Sequence, residues 1–299
     1  MKVLASFCLS LVLCQVGRAS VLPGQVEKQP LVDVIHYNSG LKTFSPLSSD
    51  SSLLTSCNGV LNATSGGIAY RAFEPIAENE RCVWTIRGGN AGGFSLNVLN
   101  LGISNSSSNT QVIATCLRRG ETLANHILLN QTGPVNGVSY CNVLVITFAS
   151  GSEVSGSTGF VLEYSVLRSS SLSPRSQDYI IDAGTAGIIR HPNSASRYEN
   201  YELNTFIILP TLGSNTNVIY FRGSLEADYC YDNLSVYRFN ATSVAPTKWE
   251  YKGRICGHIL SDFISNGDLI LITFDTDQSV VGTGFQLAIA PSDAAQCQN

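Results

Sequence analysis

The sequence predicts an all-β protein made of two tandem antiparallel β-sandwich domains, and three observations lead there. First, the apolar runs are short, about 4–8 residues, and are bounded by Gly, Asn, Ser and Asp, with no helical period beyond the first residues. Second, Val, Ile, Thr, Tyr and Phe are frequent, as pleated surfaces favour. Third, the chain repeats itself. Asn142-Val-Leu-Val-Ile-Thr-Phe148, a polar loop and Gly159-Phe160 are matched by Asp268-Leu-Ile-Leu-Ile-Thr-Phe274, a polar loop and Gly284-Phe285. An earlier aromatic strand is also doubled, as Cys82-Val-Trp84-Thr-Ile86 and Asn204-Thr-Phe206-Ile-Ile208. The copies are offset by 122 residues at Trp84/Phe206 and by 126 at Phe148/Phe274, which duplication explains simply. Runs such as Leu269–Phe274 are nearly continuous, so both faces of these strands need cover.

Taken in order, residues 1–19 read as a secretory signal: Lys2, an apolar run over Val3–Cys14, and Gly17-Arg18-Ala19 at the cleavage positions. The run is too short to span a bilayer, which takes roughly 20 residues, and no later run is long enough. Residues 20–56 form an N-terminal arm, Ser-rich toward 45–52. The first domain covers 57–167 and the second 178–292. Between them, 168–177 is rich in Ser with one Pro and reads as a linker. Residues 293–299 are a tail.

Seven cysteines follow the signal, at 57, 82, 116, 141, 230, 256 and 297. The first six fall in neighbour pairs 25, 25 and 26 residues apart. An exported chain favours disulfides. Pairing of neighbours, Cys57–Cys82, Cys116–Cys141 and Cys230–Cys256, accounts for the equal spacing, although sequence alone does not fix connectivity. A zinc site lacks its CxxC or HxxxH spacing. Cys297 is left over, as a free, capped or chain-linking thiol that would make a dimer. Five sequons, at Asn62, Asn105, Asn130, Asn233 and Asn240, are candidate glycan acceptors. The net charge of −4, with only 13% charged residues, argues against nucleic acid or an anionic membrane as partner.

At the paired cysteines, the Cys82-x-Trp84-x-Ile86 strand, the Cys230-Tyr231-Asp232-x-Leu234-x-Val236 segment and Phe274-x-x-Asp277 ahead of Gly284-Phe285, the chain resembles the CUB domain. The resemblance implies two jelly-roll sandwiches of an extracellular kind. Two departures stand out. Cys141 abuts its strand at Asn142, whereas Cys256 precedes Asp268 by 12 residues, and Asn204 stands where Cys82 has its counterpart. The resemblance extends to the calcium-binding subset. It assigns Glu226, Asp232 and Asp277 as ligands of one Ca²⁺ in the second domain, with Tyr198 orienting an acid. Asp228 is an alternative to Glu226. Loops supply the oxygen ligands that Ca²⁺ takes, and a cation relieves the repulsion of clustered carboxylates. The first copy has Arg118-Arg119 after Cys116 and Gly151 in place of the loop acid, so no Ca²⁺ is expected there, and the arginines read as a solvated edge. Asn233 follows Asp232 on a strand, so its side chain should face away from the site.

Catalysis is the opposing class. His36, His126, His191 and His258 are the only histidines, and Gly-x-Ser-x-Gly, His-Glu-x-x-His and phosphate-loop motifs are missing. The expectation is a secreted, non-enzymatic recognition protein that binds an extracellular protein or glycan with help from Ca²⁺. A structural matrix or cuticle component is the alternative, followed by an enzyme of unrecognised site.

Overall fold

The computed structural model describes residues 42–43, 53–88, 91–103, 109–121, 123–169, 172–182, 187–193, 195–210, 216–225, 230–240, 248–265 and 269–292. The expected signal, most of the arm, His36, Asn105, Glu226, Asp228, and the tail with Cys297 lie outside the described residues.

Among the described residues twenty strands occur. Those before the expected linker are β1 (Lys42–Thr43), β2 (Leu53–Leu54), β3 (Gly59–Leu61), β4 (Ser65–Pro75), β5 (Arg81–Ile86), β6 (Ala91–Leu101), β7 (Gln111–Leu117), β8 (Asn125–Leu129), β9 (Gly133–Pro134), β10 (Val143–Ala149) and β11 (Thr158–Ser169). Those after it are β12 (Asp178–Asp182), β13 (Gly187–His191), β14 (Leu203–Leu209), β15 (Thr216–Ser224), β16 (Asn233–Phe239), β17 (Trp249–Ile255), β18 (His258–Ser265), β19 (Ile270–Asp275) and β20 (Gly284–Ser292).

They make four five-stranded sheets. Sheet β3-β5-β10-β7-β8 packs on sheet β2-β4-β11-β6-β9, and sheet β12-β14-β19-β16-β17 packs on sheet β1-β13-β20-β15-β18. The fold is therefore all-β, as expected, with two sandwiches of matching strand order. The central ladders are antiparallel, but one edge strand of each sheet, β1, β2, β3 or β12, runs parallel to its neighbour. For β2, β3 and β12 the cause is the path of the chain. It alternates between facing sheets, so the next strand in the same sheet points the same way. The segment that carries β1 belongs to the expected arm, yet it joins the second sandwich beside β13.

The repeated aromatics build the same core twice. Trp84, Phe148 and Phe160 are buried in the first sandwich, and Phe206, Phe274 and Phe285 in the second. Trp84 meets Phe160 edge-on at 5.6 Å, and Phe206 meets Phe285 edge-on at 5.7 Å. Such edge contacts suit the ring quadrupoles. All three expected neighbour pairs are bridged, Cys57–Cys82, Cys116–Cys141 and Cys230–Cys256. Disulfides persist in oxidising compartments, so the bridges point to an extracellular protein.

The near-continuous apolar strands are covered on both faces, but the outer cover is the other sandwich. In β19, Ile270, Ile272 and Phe274 enter their own core, whereas Leu271 and the preceding Leu269 join a third cluster. That cluster brings Val83, Ile113, Leu117, Val143 and Val145 of the first sandwich against Leu203, Ile207, Tyr237, Phe239 and Trp249 of the second. Polar contacts flank this joint. Arg87 donates to both carboxylate oxygens of Asp178 at 2.7 Å and to the Leu203 carbonyl at 2.8 Å. Trp249 Nε1 donates to Thr147 Oγ1 at 3.3 Å. Leu172, inside the expected linker, is buried in the same cluster, and the Ser173 amide donates to the Tyr201 carbonyl at 2.7 Å.

Arg118 is at a solvated edge, paired with the exposed Glu121 at 3.0 Å, but Arg119 is not. The Arg119 guanidinium sits 4.6 Å from the Tyr201 ring centroid, and the next amide, Gly120 N–H, donates to Asp275 Oδ2 at 2.5 Å. Sequence reasoning missed this because the surface that receives Arg119 comes from residues some eighty positions or more further along.

Candidate functional site

Three loops meet at one end of the second sandwich. They follow β13, precede β16 and follow β19, and they carry Tyr198, Asp232 and Asp277 respectively. The Tyr198 hydroxyl donates to Asp232 Oδ2 at 2.5 Å, and the Asp277 amide donates to Asp232 Oδ1 at 2.9 Å. Asp232 is fully buried. Asp277 is half-buried, and its carboxylate accepts from the Ser279 amide at 2.7 Å. Burial pushes the Asp232 carboxyl up, and the fields of Asp277 and Glu202 push the same way, against the pull of the Tyr198 and Asp277 hydrogen bonds. The structure thus brings together three of the four residues singled out in the sequence. For Glu226 and its alternative Asp228, only the flanks of the loop are described. Ser224 pairs with Gly284 and Asn233 with Asp275, which puts both flanks at this same end. Among the described residues, no group of three or more His, Cys, Asp or Glu side chains is placed to hold a metal ion. Two carboxylates, one of them held by Tyr198, are oxygen donors of the kind that suits Ca²⁺.

The loops are held by a buried glutamate that sequence reasoning passed over. Glu202 is fully buried; it accepts from the Glu199 amide at 2.6 Å and from Asn204 Nδ2 at 2.9 Å, and it pairs with His191 at 2.5 Å. Burial alone would raise its carboxyl, but the hydrogen bond and field of His191, with the other donors, bring it net below the usual value. Its amide donates to Thr276 Oγ1, whose hydroxyl donates to the Glu199 carbonyl. The Tyr201 amide donates to the Asp277 carbonyl at 2.8 Å.

The first sandwich repeats the backbone part of this bracing, without the Asn204 bond, because Cys82 stands at that position. Glu80 stands for Glu202: its amide donates to Ser150 Oγ, whose hydroxyl donates to the Ala77 carbonyl. The Asn79 amide donates to the Gly151 carbonyl at 2.9 Å, as Tyr201 does to Asp277. Tyr70 donates to Glu80 at 2.5 Å where the second sandwich uses His191. One brace therefore supports both loop ends, and the acid Asp277 is added on the second where the first has Gly151. The signal was available in the sequence. Glu80 and Glu202 share the 122-residue offset of Trp84 and Phe206, and Ser150 and Thr276 share the 126-residue offset of Phe148 and Phe274.

The four described sequons differ. Asn130 is exposed, Asn62 and Asn240 are half-buried, and Asn233 is 6% exposed. Asn233 does face away from Asp232, as the strand period requires, but the face it takes is covered by the first sandwich. His258 is exposed at the start of β18, and His126 is half-buried in the joint.

No family model matches the chain, and no curated protein matches it. Solved structures do. The CUB1-EGF-CUB2 domain of human MASP-1/3 is similar at 14% identity with a TM-score of 0.32, over 77% of this chain and 100% of that one. The CUB1-EGF-CUB2 domains of rat MASP-1 are similar at 13% identity with a TM-score of 0.30, over 78% and 99%. The full extracellular region of zebrafish Gpr126/Adgrg6 is similar at 15% identity and 0.30, over 82% of this chain and 39% of that one. The human and rat neighbours are CUB-domain regions.

Proposed function

We propose that the chain is a secreted, non-enzymatic recognition protein of the CUB class, and that the loop end carrying Asp232 and Asp277 holds one Ca²⁺ and meets an extracellular protein or glycan. The observation that carries this reading is the convergence of Tyr198, Asp232 and Asp277 on a brace that works without them in the first sandwich. Acids added to an already braced loop end are there for something other than the fold.

In this reading Asp232 and Asp277 hold the ion, Glu226 completes the set, and Tyr198 keeps Asp232 turned toward it. A bound Ca²⁺ supplies the positive charge that offsets the crowding of these carboxylates. Affinity near ~10⁻⁴–10⁻³ M, typical of extracellular modules, keeps the site filled only outside cells. Tyr231 and Val280, 55% and 65% exposed, flank the acids as an apolar rim where a partner gains contact area.

The test is capture of partners by the purified protein on arrays of extracellular proteins and of glycans, with Ca²⁺ and with EDTA. The reading expects a defined set of hits that EDTA abolishes and that Tyr231→Ala weakens about tenfold without loss of folding. Hits unaffected by EDTA sink the Ca²⁺ part, and turnover of a substrate that is lost in a site variant overturns the non-enzymatic part.

A further inference from the structure

The sequon Asn233-Leu234-Ser235 sits inside the joint between the sandwiches. Along β16, Leu234 and Val236 enter the core of their own sandwich, while Tyr237 and Phe239 belong to the joint cluster. Asn233 and Ser235 share the joint-facing side of that alternation and are 6% and 3% exposed. They line a crevice with Leu117, Arg118, Glu121, Leu123 and Ala124 of the first sandwich. The Asn233 amide nitrogen donates to the Cys230 and Tyr231 carbonyls at 3.4 and 3.3 Å, and its Oδ1 accepts from Ser235 Oγ at 3.0 Å. The acceptor nitrogen and the hydroxyl of the sequon are thus both turned into local bonds under the cover of the other domain.

Glycan transfer needs that nitrogen free. Asn233 Nδ2 would lose one proton to water and form a bond to the anomeric carbon of a lipid diphosphate-linked oligosaccharide. The carbon–oxygen bond to the diphosphate breaks, and the lipid diphosphate leaves with the electron pair. The attached sugars are bulky and hydrated. They do not fit between Asn233 and the Leu117, Arg118 and Ala124 side chains that close over it, and a hydrated chain there would separate the apolar faces that hold the joint.

We propose that glycosylation at Asn233 and closure of the joint exclude one another, so that this one modification decides whether the chain is a closed two-sandwich block or an open pair. A nascent second sandwich presents the sequon on its outer sheet face. Docking of the first sandwich hides it. Asn130, exposed at the end of β8, carries no such conflict and serves as the internal control.

The experiment uses the full chain secreted from glycosylating cells. Site occupancy is read by peptide mass spectrometry, and the joint by hydrogen exchange of residues 118–121, where the Gly120 amide bonds across to Asp275. Chains with slow exchange there are expected to be empty at Asn233 while Asn130 is filled. Loosening the joint with Val145→Glu, or more mildly with Tyr237→Ala, should raise Asn233 occupancy several-fold and leave Asn130 unchanged. Any wild-type glycoform filled at Asn233 should exchange fast over 118–121. The proposal is overturned by Asn233-glycosylated chains whose 118–121 exchange matches that of Asn233→Gln. It is equally overturned if Asn233 stays empty in a variant whose 118–121 exchange shows the joint open.

Discussion

Arg87 and Asp178 show how much a single pair is asked to do. Arg87 follows β5 of the first sandwich, Asp178 opens β12 of the second, and their side chains are 6% and 2% exposed. The fork of the guanidinium matches both carboxylate oxygens, and Thr205 Oγ1 adds a bond to Asp178 at 2.6 Å. Removing one partner leaves the other charged and buried, so Asp178→Ala should cost about 3–5 kcal/mol in urea unfolding. A loss under about 1 kcal/mol would show that water replaces the carboxylate and that the joint is wet. His126 gives the joint a pH dependence. Burial lowers its pKa to about 4 against an unfolded value near 6.5. Below about 6.5 the unfolded chain therefore binds a proton that the folded chain refuses. The contribution of His126 is full above that pH and is lost as pH falls toward 4, by an amount on the order of 2–3 kcal/mol. Comparing stability at pH 7, 5 and 4 for the protein and for His126→Gln isolates this limb, which the variant should flatten.

Among the elements, the loop-to-strand turn at Gly284 explains why Gly-Phe occurs twice. Gly284 has φ +85°, and a Cβ there would lie 1.9 Å from the His191 carbonyl oxygen; at Gly159 a Cβ would lie 1.8 Å from the Tyr70 carbonyl oxygen. Each glycine lets its last strand, β20 or β11, pass the neighbouring backbone closely while the following Phe enters the core. Gly284→Ala should cost roughly 2–3 kcal/mol, read as a lower urea midpoint at unchanged slope. An equal midpoint would mean that the turn relaxes freely. The same comparison shows what was legible in the sequence. Strand class, the repeat and the cysteine pairs follow from local pattern and spacing, whereas the meeting of Tyr198, Asp232 and Asp277 follows from the family resemblance alone. Asn204 was legible only as a missing cysteine. In the fold it accepts from the Gln177 amide at 2.6 Å, tying the start of β12 to β14 where Cys57–Cys82 ties the start of β3 to β5. A hydrogen bond of this kind depends on a partner 27 residues away and leaves no mark in composition.

For the whole molecule, the joint was the least legible feature. Periodicity says that both faces of Leu269–Phe274 are buried but not what buries them, because an apolar outer face looks the same under a second sheet or a second domain. Nothing local marks Arg119, Asn233 or Leu172 as residues that a second domain covers. The central claim, however, concerns the acids at the end of the second sandwich, and one measurement addresses it directly: the melting temperature of the full chain against Ca²⁺, beside Asp277→Ala and Asp232→Ala. At an ion concentration about ten times Kd, mass action adds roughly 1.4 kcal/mol, or about 2–4 °C for a unit of this size. The account predicts that rise for the protein and its loss in both variants. No shift at several millimolar Ca²⁺, or a full shift retained in both variants, would contradict it.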